Sequence, residues 1–169
     1  MKAKIALPGL FLLLLIGLGV LSQAHVAGFT RVELTQAGTG KTILSIVLRD
    51  GERAVLTWRN SLFSLDVTEV FHAEACMLIL DQVTFADPRG LPPPTVSPAD
   101  VDDLYQTGGP FTARGLGKPF RRVAFRVAEI GEPKLKIRDR VVAFKQEVGF
   151  GGSVILTASA AKLHETFPR

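Results

Sequence analysis

Leu65-Asp66-Val67-Thr68-Glu69-Val70-Phe71-His72 is the stretch that decides the fold class. In an extended chain Leu65, Val67, Glu69 and Phe71 fall on one side. Asp66, Thr68, Val70 and His72 fall on the other. This period of two predicts a strand with one buried face. Glu69 shares its side with three apolar residues.

The same alternation spreads outward. Residues 30–35 alternate, Gly38-Thr39-Gly40 reads as a turn, and residues 42–48 are β-branched and apolar. Asp50-Gly51 then separates that run from residues 54–58, which predicts a hairpin closed by a type I′ turn. Residues 77–85 form a further strand candidate. Residues 87–98 contain Pro92-Pro93-Pro94, and since proline lacks the ladder donor they predict a surface loop. Ser97-Pro98-Ala99-Asp100 predicts a helix start, with Ser97 as cap and Pro98 in the first position, and a short helix reaching Tyr105. Residues 107–110 predict a turn. Val123, Phe125 and Val127 alternate with Arg122, Ala124 and Arg126. Residues 135–137, 141–144 and 154–157 complete the strands, with the glycine-rich run 149–152 separating the last two. Short strands divided by turn signals predict an all-β domain, a β-sandwich or a small barrel, over residues 28–160. A C-terminal tail is expected over residues 161–169.

Residues 1–24 have a different character. Lys2 and Lys4 precede a charge-free, leucine-rich run over residues 5–21, and Ser22-Gln23-Ala24 offers a small-x-small cleavage site. This predicts one N-terminal hydrophobic helix, either a cleaved signal peptide or a retained membrane anchor. The leading lysines stay inside, so the β domain is expected outside the cytoplasm, in the periplasm or anchored to the cytoplasmic membrane.

Lys2 and Lys4 account for half of the net charge of +4. The folded part is thus only weakly basic, and nucleic acid is not an expected partner. Positive charge is nevertheless uneven: residues 114–140 hold nine basic side chains against the acidic Glu129, Glu132 and Asp139. Such a face suits an anionic lipid surface or an acidic partner.

Chemical motifs are sparse. The run Ala37-Gly38-Thr39-Gly40-Lys41-Thr42 lacks the first glycine of a phosphate loop, Thr35 standing in its place, and it leads into a strand instead of a helix. Cys76 is a lone thiol within an apolar run. His25, His72 and His164 have no second ligand at metal spacing, and Asp100, Asp102 and Asp103 lack the glycine and distal glutamate of a calcium loop. No serine sits in a nucleophile elbow. No catalytic residue, metal site or cofactor is therefore expected.

Residues 54–157 resemble a family numbered 1850 among domains of unknown function. The resemblance runs through Leu56-Thr57-Trp58-Arg59-Asn60-Ser61, then Val67, Glu69 and Phe71. It continues in Gly90-Leu91-Pro92, in Leu104-Tyr105-Gln106-Thr107-Gly108-Gly109-Pro110-Phe111, in Lys134-Leu135-Lys136-Ile137 and in Gly152-Ser153-Val154-Ile155-Leu156. It covers about two thirds of the chain. Members of that family are small exported or anchored proteins, often encoded beside TRAP-type solute transporters of the TAXI subclass. Asn60 stands where the family pattern favours histidine, so a titrating imidazole is not available at that place.

The resemblance implies a non-enzymatic accessory protein of a TRAP-type solute-uptake system. The membrane, through the N-terminal segment, and a TRAP transporter subunit are its expected partners. The residues expected to matter are Trp58, Asn60, Ser61, Glu69, Tyr105, Gly108 and Gly109. A polar constellation of Asn60, Ser61 and Glu69 is expected around one strand connection. The partner surface is expected to come from the proline-rich loop and a turn over residues 107–117. A periplasmic small-ligand-binding β module is the alternative, and a hydrolase using Glu69 or Asp66 is a third reading.

Overall fold

The computed structural model describes residues 25–166. The expected signal peptide or anchor, residues 1–24, lies outside the described residues. Among those described, no helix is long and apolar enough to cross a membrane.

Two antiparallel sheets carry the domain. The first has four strands in the order β2 (Thr42–Arg49), β1 (His25–Gln36), β10 (Ser153–Lys162) and β7 (Arg122–Arg126). The second has six, in the order β6 (Phe111–Phe120), β5 (Met77–Ala86), β4 (Leu65–Glu74), β3 (Arg53–Asn60), β8 (Lys134–Ile137) and β9 (Arg140–Ala143). A single 3₁₀ turn at Pro98–Asp100 leads into helix α1 (Val101–Thr107). Helix α2 (Phe144–Val148) follows β9, and α3 (Leu163–Thr166) follows β10. The sheets share a core in which Val32, Leu34 and Leu156 of the first meet Leu56, Phe71 and Leu135 of the second. Burial of a large apolar side chain stabilises by roughly 1.5–3 kcal/mol, and this shared core is what holds the layers together.

The Asp50-Gly51 link does not make the expected hairpin. β2 pairs with β1, whereas β3 pairs with β4 and β8. The link is a corner between the sheets. Leu48 and Ala54, on either side of it, are both fully buried in the shared core. The Asp50 amide donates to Gly28 of β1 at 3.0 Å and the Gly51 amide to Ala73 of β4 at 2.7 Å. Burying both runs against each other in facing layers outweighs the local turn preference of Asp-Gly. The positive φ of Gly51, 86°, serves the corner instead.

β6 is absent from the sequence reading because Gly115, Gly117 and Pro119 interrupt it. It is an edge strand, where proline is tolerated. Its register against β5 jumps from Leu80–Lys118 to Gln82–Arg114, so residues 115–117 bulge opposite Asp81. Asp81 is also the extra residue between β5 and β4. This bulge reverses the parity of β5, so that Leu80 before it and Val83 after it both face the core.

The tail expected from residue 161 is in part an ordered element. β10 continues through Lys162, which pairs with His25, and α3 follows. Glu165 caps this end by accepting from the Lys162 amide at 2.9 Å and pairing with Arg31 at 3.1 Å.

Candidate functional site

The inward face of the six-stranded sheet is longer than the four-stranded sheet that covers it. On β4, Phe71 and Ala73 belong to the core between the sheets. Leu65 and Val67 belong to a second core, with Val83, Phe85 and Phe111, packed under Val101, Leu104 and Tyr105 of α1. Glu69 is the inward residue between them. Neighbouring strands change allegiance within one inward position of it. Trp58 on β3 and Leu116 on β6 touch both cores, and the Asp81 bulge separates Leu80 from Val83 on β5. A seam therefore crosses β3 to β6, and Glu69 lies in its floor.

Two cavities open along that seam, of about 340 and 350 Å³. Each falls within the range that small ligands occupy. Both are lined by Glu69 and Phe125. The first adds Phe71, Leu80, Tyr105 and Phe120, with Lys118 and Asp102 paired at 2.7 Å at its border. The second adds Trp58, Asn60, Ser61, Arg59 and Arg126.

Aromatic packing fixes the walls. Phe85 stacks on Phe111 at 4.8 Å, and it meets Tyr105 edge-on at 4.9 Å and Trp58 edge-on at 6.1 Å. These contacts hold the Tyr105 ring where its hydroxyl donates to Glu69 Oε1 at 3.1 Å. Burial raises the Glu69 pKa above its ordinary value, and the Tyr105 hydrogen bond opposes that rise. Burial, reinforced by the Glu69 charge, raises the Tyr105 pKa, so the phenol stays a donor. The second carboxyl oxygen, Oε2, has no partner among the described residues and is not fully buried. The site thus presents one carboxyl oxygen between a largely apolar cavity and one of mixed polarity, with the other oxygen held by Tyr105.

Of the seven expected residues, five border this seam. Trp58, Asn60, Ser61 and Glu69 line one cavity, and Tyr105 and Glu69 line the other. The expected polar constellation is not a hydrogen-bonded one. Asn60 Oδ1 instead accepts from the Leu62 and Phe63 amides at 2.9 and 3.1 Å, fixing the β3–β4 loop. Ser61 is exposed. Gly108 and Gly109 lie outside both cavities. Gly108 has φ 78° and ψ −179°, and a Cβ there would sit 2.5 Å from the Phe63 ring. It lets the end of α1 close against the β3–β4 loop.

The expected partner surface is also redrawn. Residues 111–117 are not a turn but belong to β6. The proline-rich loop is tied to that strand: the Thr112 amide donates to Pro94 at 2.8 Å and the Val96 amide to Thr112 at 2.9 Å. It covers an otherwise open sheet edge. Asp66, on the outward side of β4, pairs with Arg59 at 3.3 Å, so Glu69 and Asp66 face opposite ways. Among the described residues no three His, Cys, Asp or Glu side chains gather as a metal-binding group.

The sequence reading missed Phe71, Leu80, Phe120 and Phe125 as cavity walls. Phe125 carried a signal, since it alternates inward between Arg122 and Arg126. Nothing local marks Phe120, which lies at the end of β6 beyond its bulge. Compared with protein-family models, with curated proteins and with solved structures, the chain finds no match.

Proposed function

We propose that this chain is a non-enzymatic binding protein that works outside the cytoplasm and takes an apolar group with a hydrogen-bond donor into the seam between its sheets. One observation carries the reading: Glu69 sits on the buried stripe of β4, held by Tyr105 through one oxygen, and lines two cavities, one largely apolar and one of mixed polarity. A leucine in that place would complete the stripe. A buried carboxyl without a charged partner costs stability, and binding a donor is a use that offsets the cost.

The leader-like residues 1–24 support a place at the outer face of the cytoplasmic membrane, by cleavage or by anchoring. The resemblance over residues 54–157 supports an accessory role beside a TRAP-type solute-uptake system. In that role the seam would hold either the solute or a segment of the transporter.

The full chain contains one tryptophan, Trp58, in the wall of the second cavity. Its emission therefore reports occupancy. Amphipathic amines and alcohols titrated into the full chain in mild detergent should shift that emission saturably, and Glu69→Leu should abolish the response while keeping the circular dichroism of the fold. An unsaturable response, or one indifferent to Glu69→Leu, would remove the seam as the binding site. Tagged chain drawn from mildly solubilised native membranes should carry a multi-spanning transporter subunit with it. Recovery of the chain alone, while other membrane complexes stay intact, would remove the accessory role.

A further inference from the structure

The seam has an unpaired strand along its rim. β7 pairs with β10 on one side only. The register of the ladder fixes which backbone groups are left over. The Val127 amide donates to Gly152, and the Arg121 carbonyl accepts from Ala158. By the alternation of an antiparallel pair, residues 121, 123, 125 and 127 direct their backbone groups to β10. Arg122, Ala124 and Arg126 direct theirs away from it, and no backbone hydrogen bond is made there among the described residues.

That free edge opens onto the cavities. Val123 and Phe125, on the inward face of β7, line the first. Ala124, Phe125 and Arg126, from both faces of the strand, line the second. Space therefore continues around the edge of β7 from the outer face to Glu69. The outer face beside it is basic: Arg122 and Arg126 are exposed and form no ion pair among the described residues.

We infer that β7 is a docking edge for an extended acidic segment of a partner protein, which adds a fifth strand to the four-stranded sheet and roofs the seam. This rests on the seam being a binding site, and it names what covers that site. The pleat dictates the pattern of the segment. Residues opposite Arg122 and Arg126 point outward and should be Asp or Glu. Those opposite Val123 and Phe125 point inward, toward the seam, and should be apolar. Other occupants fit worse. A second copy paired through the same edge would set arginine against arginine. The chain's own residues 1–24 hold two lysines and no acid.

The probe is a short capped peptide alternating glutamate with valine, titrated into the full chain in mild detergent. Trp58 emission and hydrogen exchange at the Ala124 amide are read together. Saturable binding with slowed exchange at Ala124 is expected. The same residues in non-alternating order should bind about tenfold more weakly, because apolar and acidic side chains then reach the wrong faces. Ala124→Pro removes a donor that β10 does not use, and should weaken binding about tenfold or more. The Arg122→Glu/Arg126→Glu double variant should prefer a lysine-valine peptide, which keeps the test decisive if the proline variant fails to fold.

Equal binding of both peptide orders, or unchanged exchange at Ala124, would overturn the proposal. So would arginine-dependent binding to phosphatidylglycerol vesicles with no binding of the peptide. If amphipathic solutes move Trp58 in a Glu69-dependent way and the peptide does not bind, the docking edge falls and the seam stands. If neither binds, both fall, and the arginines serve only to protect an edge strand.

Discussion

Tyr105→Phe isolates the hydrogen bond at the centre of the seam. The substitution removes one oxygen and leaves the ring in its contacts with Phe85 and Phe111. What changes is the donor to Glu69 Oε1 at 3.1 Å. A hydrogen bond between neutral groups contributes about 1 kcal/mol net, and one to a charged group about 1.5–3 kcal/mol. Because the seam is open and water can reach Oε2, the lower part of the charged range applies. The sign follows from the direction of the Glu69 shift. Its folded pKa lies above 4.5, the ordinary value. Between those two values the folded chain holds more protons than the unfolded one, so this group's contribution to stability falls as pH rises. The Tyr105 bond opposes that fall, and its loss raises the folded pKa further. Tyr105→Phe should therefore cost about 1 kcal/mol below the window and about 2 kcal/mol above it. Urea unfolding followed by Trp58 emission at several pH values measures the difference between the two proteins, in which all other titrating groups cancel. In a Glu69→Gln background the pH dependence of that difference should vanish. A penalty that is the same at every pH, or a pH dependence that survives Glu69→Gln unchanged, would refute the coupling.

Substitutions at four further positions test the frame of the domain. Gly108→Ala should destabilise by about 2–4 kcal/mol, combining a backbone region reserved for glycine with a clash on Phe63. Gly109→Ala has φ 111° and no neighbour within 4 Å of its Cβ, so it should cost only about 1–2 kcal/mol; equal urea midpoints for the two variants would discount the Phe63 contact. Asn60→Ala should cost about 1 kcal/mol and Asn60→Asp much less, because only Oδ1 is used; failure of Asp to restore the melting temperature would show that the amide nitrogen matters. Glu52 accepts from Arg138 Nε and Nη2 at 2.9 and 2.7 Å and from the Arg49 amide at 2.6 Å, tying the β2–β3 corner to the β8–β9 turn. Arg138 holds the Glu52 pKa down, so this stability is present above pH 4.5 and is lost as pH falls through the folded value. The pair is partly exposed, so Glu52→Ala should cost only about 0.5–1 kcal/mol near neutrality, and the cost should fade in acid; a loss that is constant from neutral to acid pH would contradict the pairing.

What the sequence disclosed depended on how local the cause was. The alternation of residues 65–72 is set by one strand's two environments, and both faces came out as read. The Ser97-Pro98 helix start is equally local, and Ser97 Oγ does accept from the Ala99 amide at 3.3 Å. Asp50-Gly51 misled because a turn dipeptide reports a reversal and not which strands it joins; only the burial of Leu48 and Ala54 in one core makes it a corner. β6 escaped because its glycines serve a bulge whose counterpart, Asp81, lies on another strand. The parity break of the apolar pattern, Leu78 and Leu80 before Asp81 but Val83 and Phe85 after it, was the trace of that bulge in the sequence. Glu69 was legible as a carboxyl on an apolar stripe. Its partner was not, since Tyr105 reaches it across 36 residues.

The location of the seam follows from strand count as much as from any side chain. A six-stranded sheet covered by four strands must find other cover for the remainder of its inward face. Here a helix of two turns does so, and it brings Val101, Leu104 and Tyr105 to the task. Two covers of different kinds do not close on each other, because β7 ends the four-stranded sheet with an unpaired edge and α1 has no edge to offer it. The gap is thus built into the topology, and apolar side chains alone would leave it as a void with lost contacts. The chain places Glu69 at that level of β4, Trp58 at the next inward position of β3, opposite Val67, and a bulge beside them on β5 and β6. Each is the residue or irregularity on its strand that falls between the two cores, so the polar group, the fluorescent reporter and the distorted backbone meet where the fold is least able to satisfy itself.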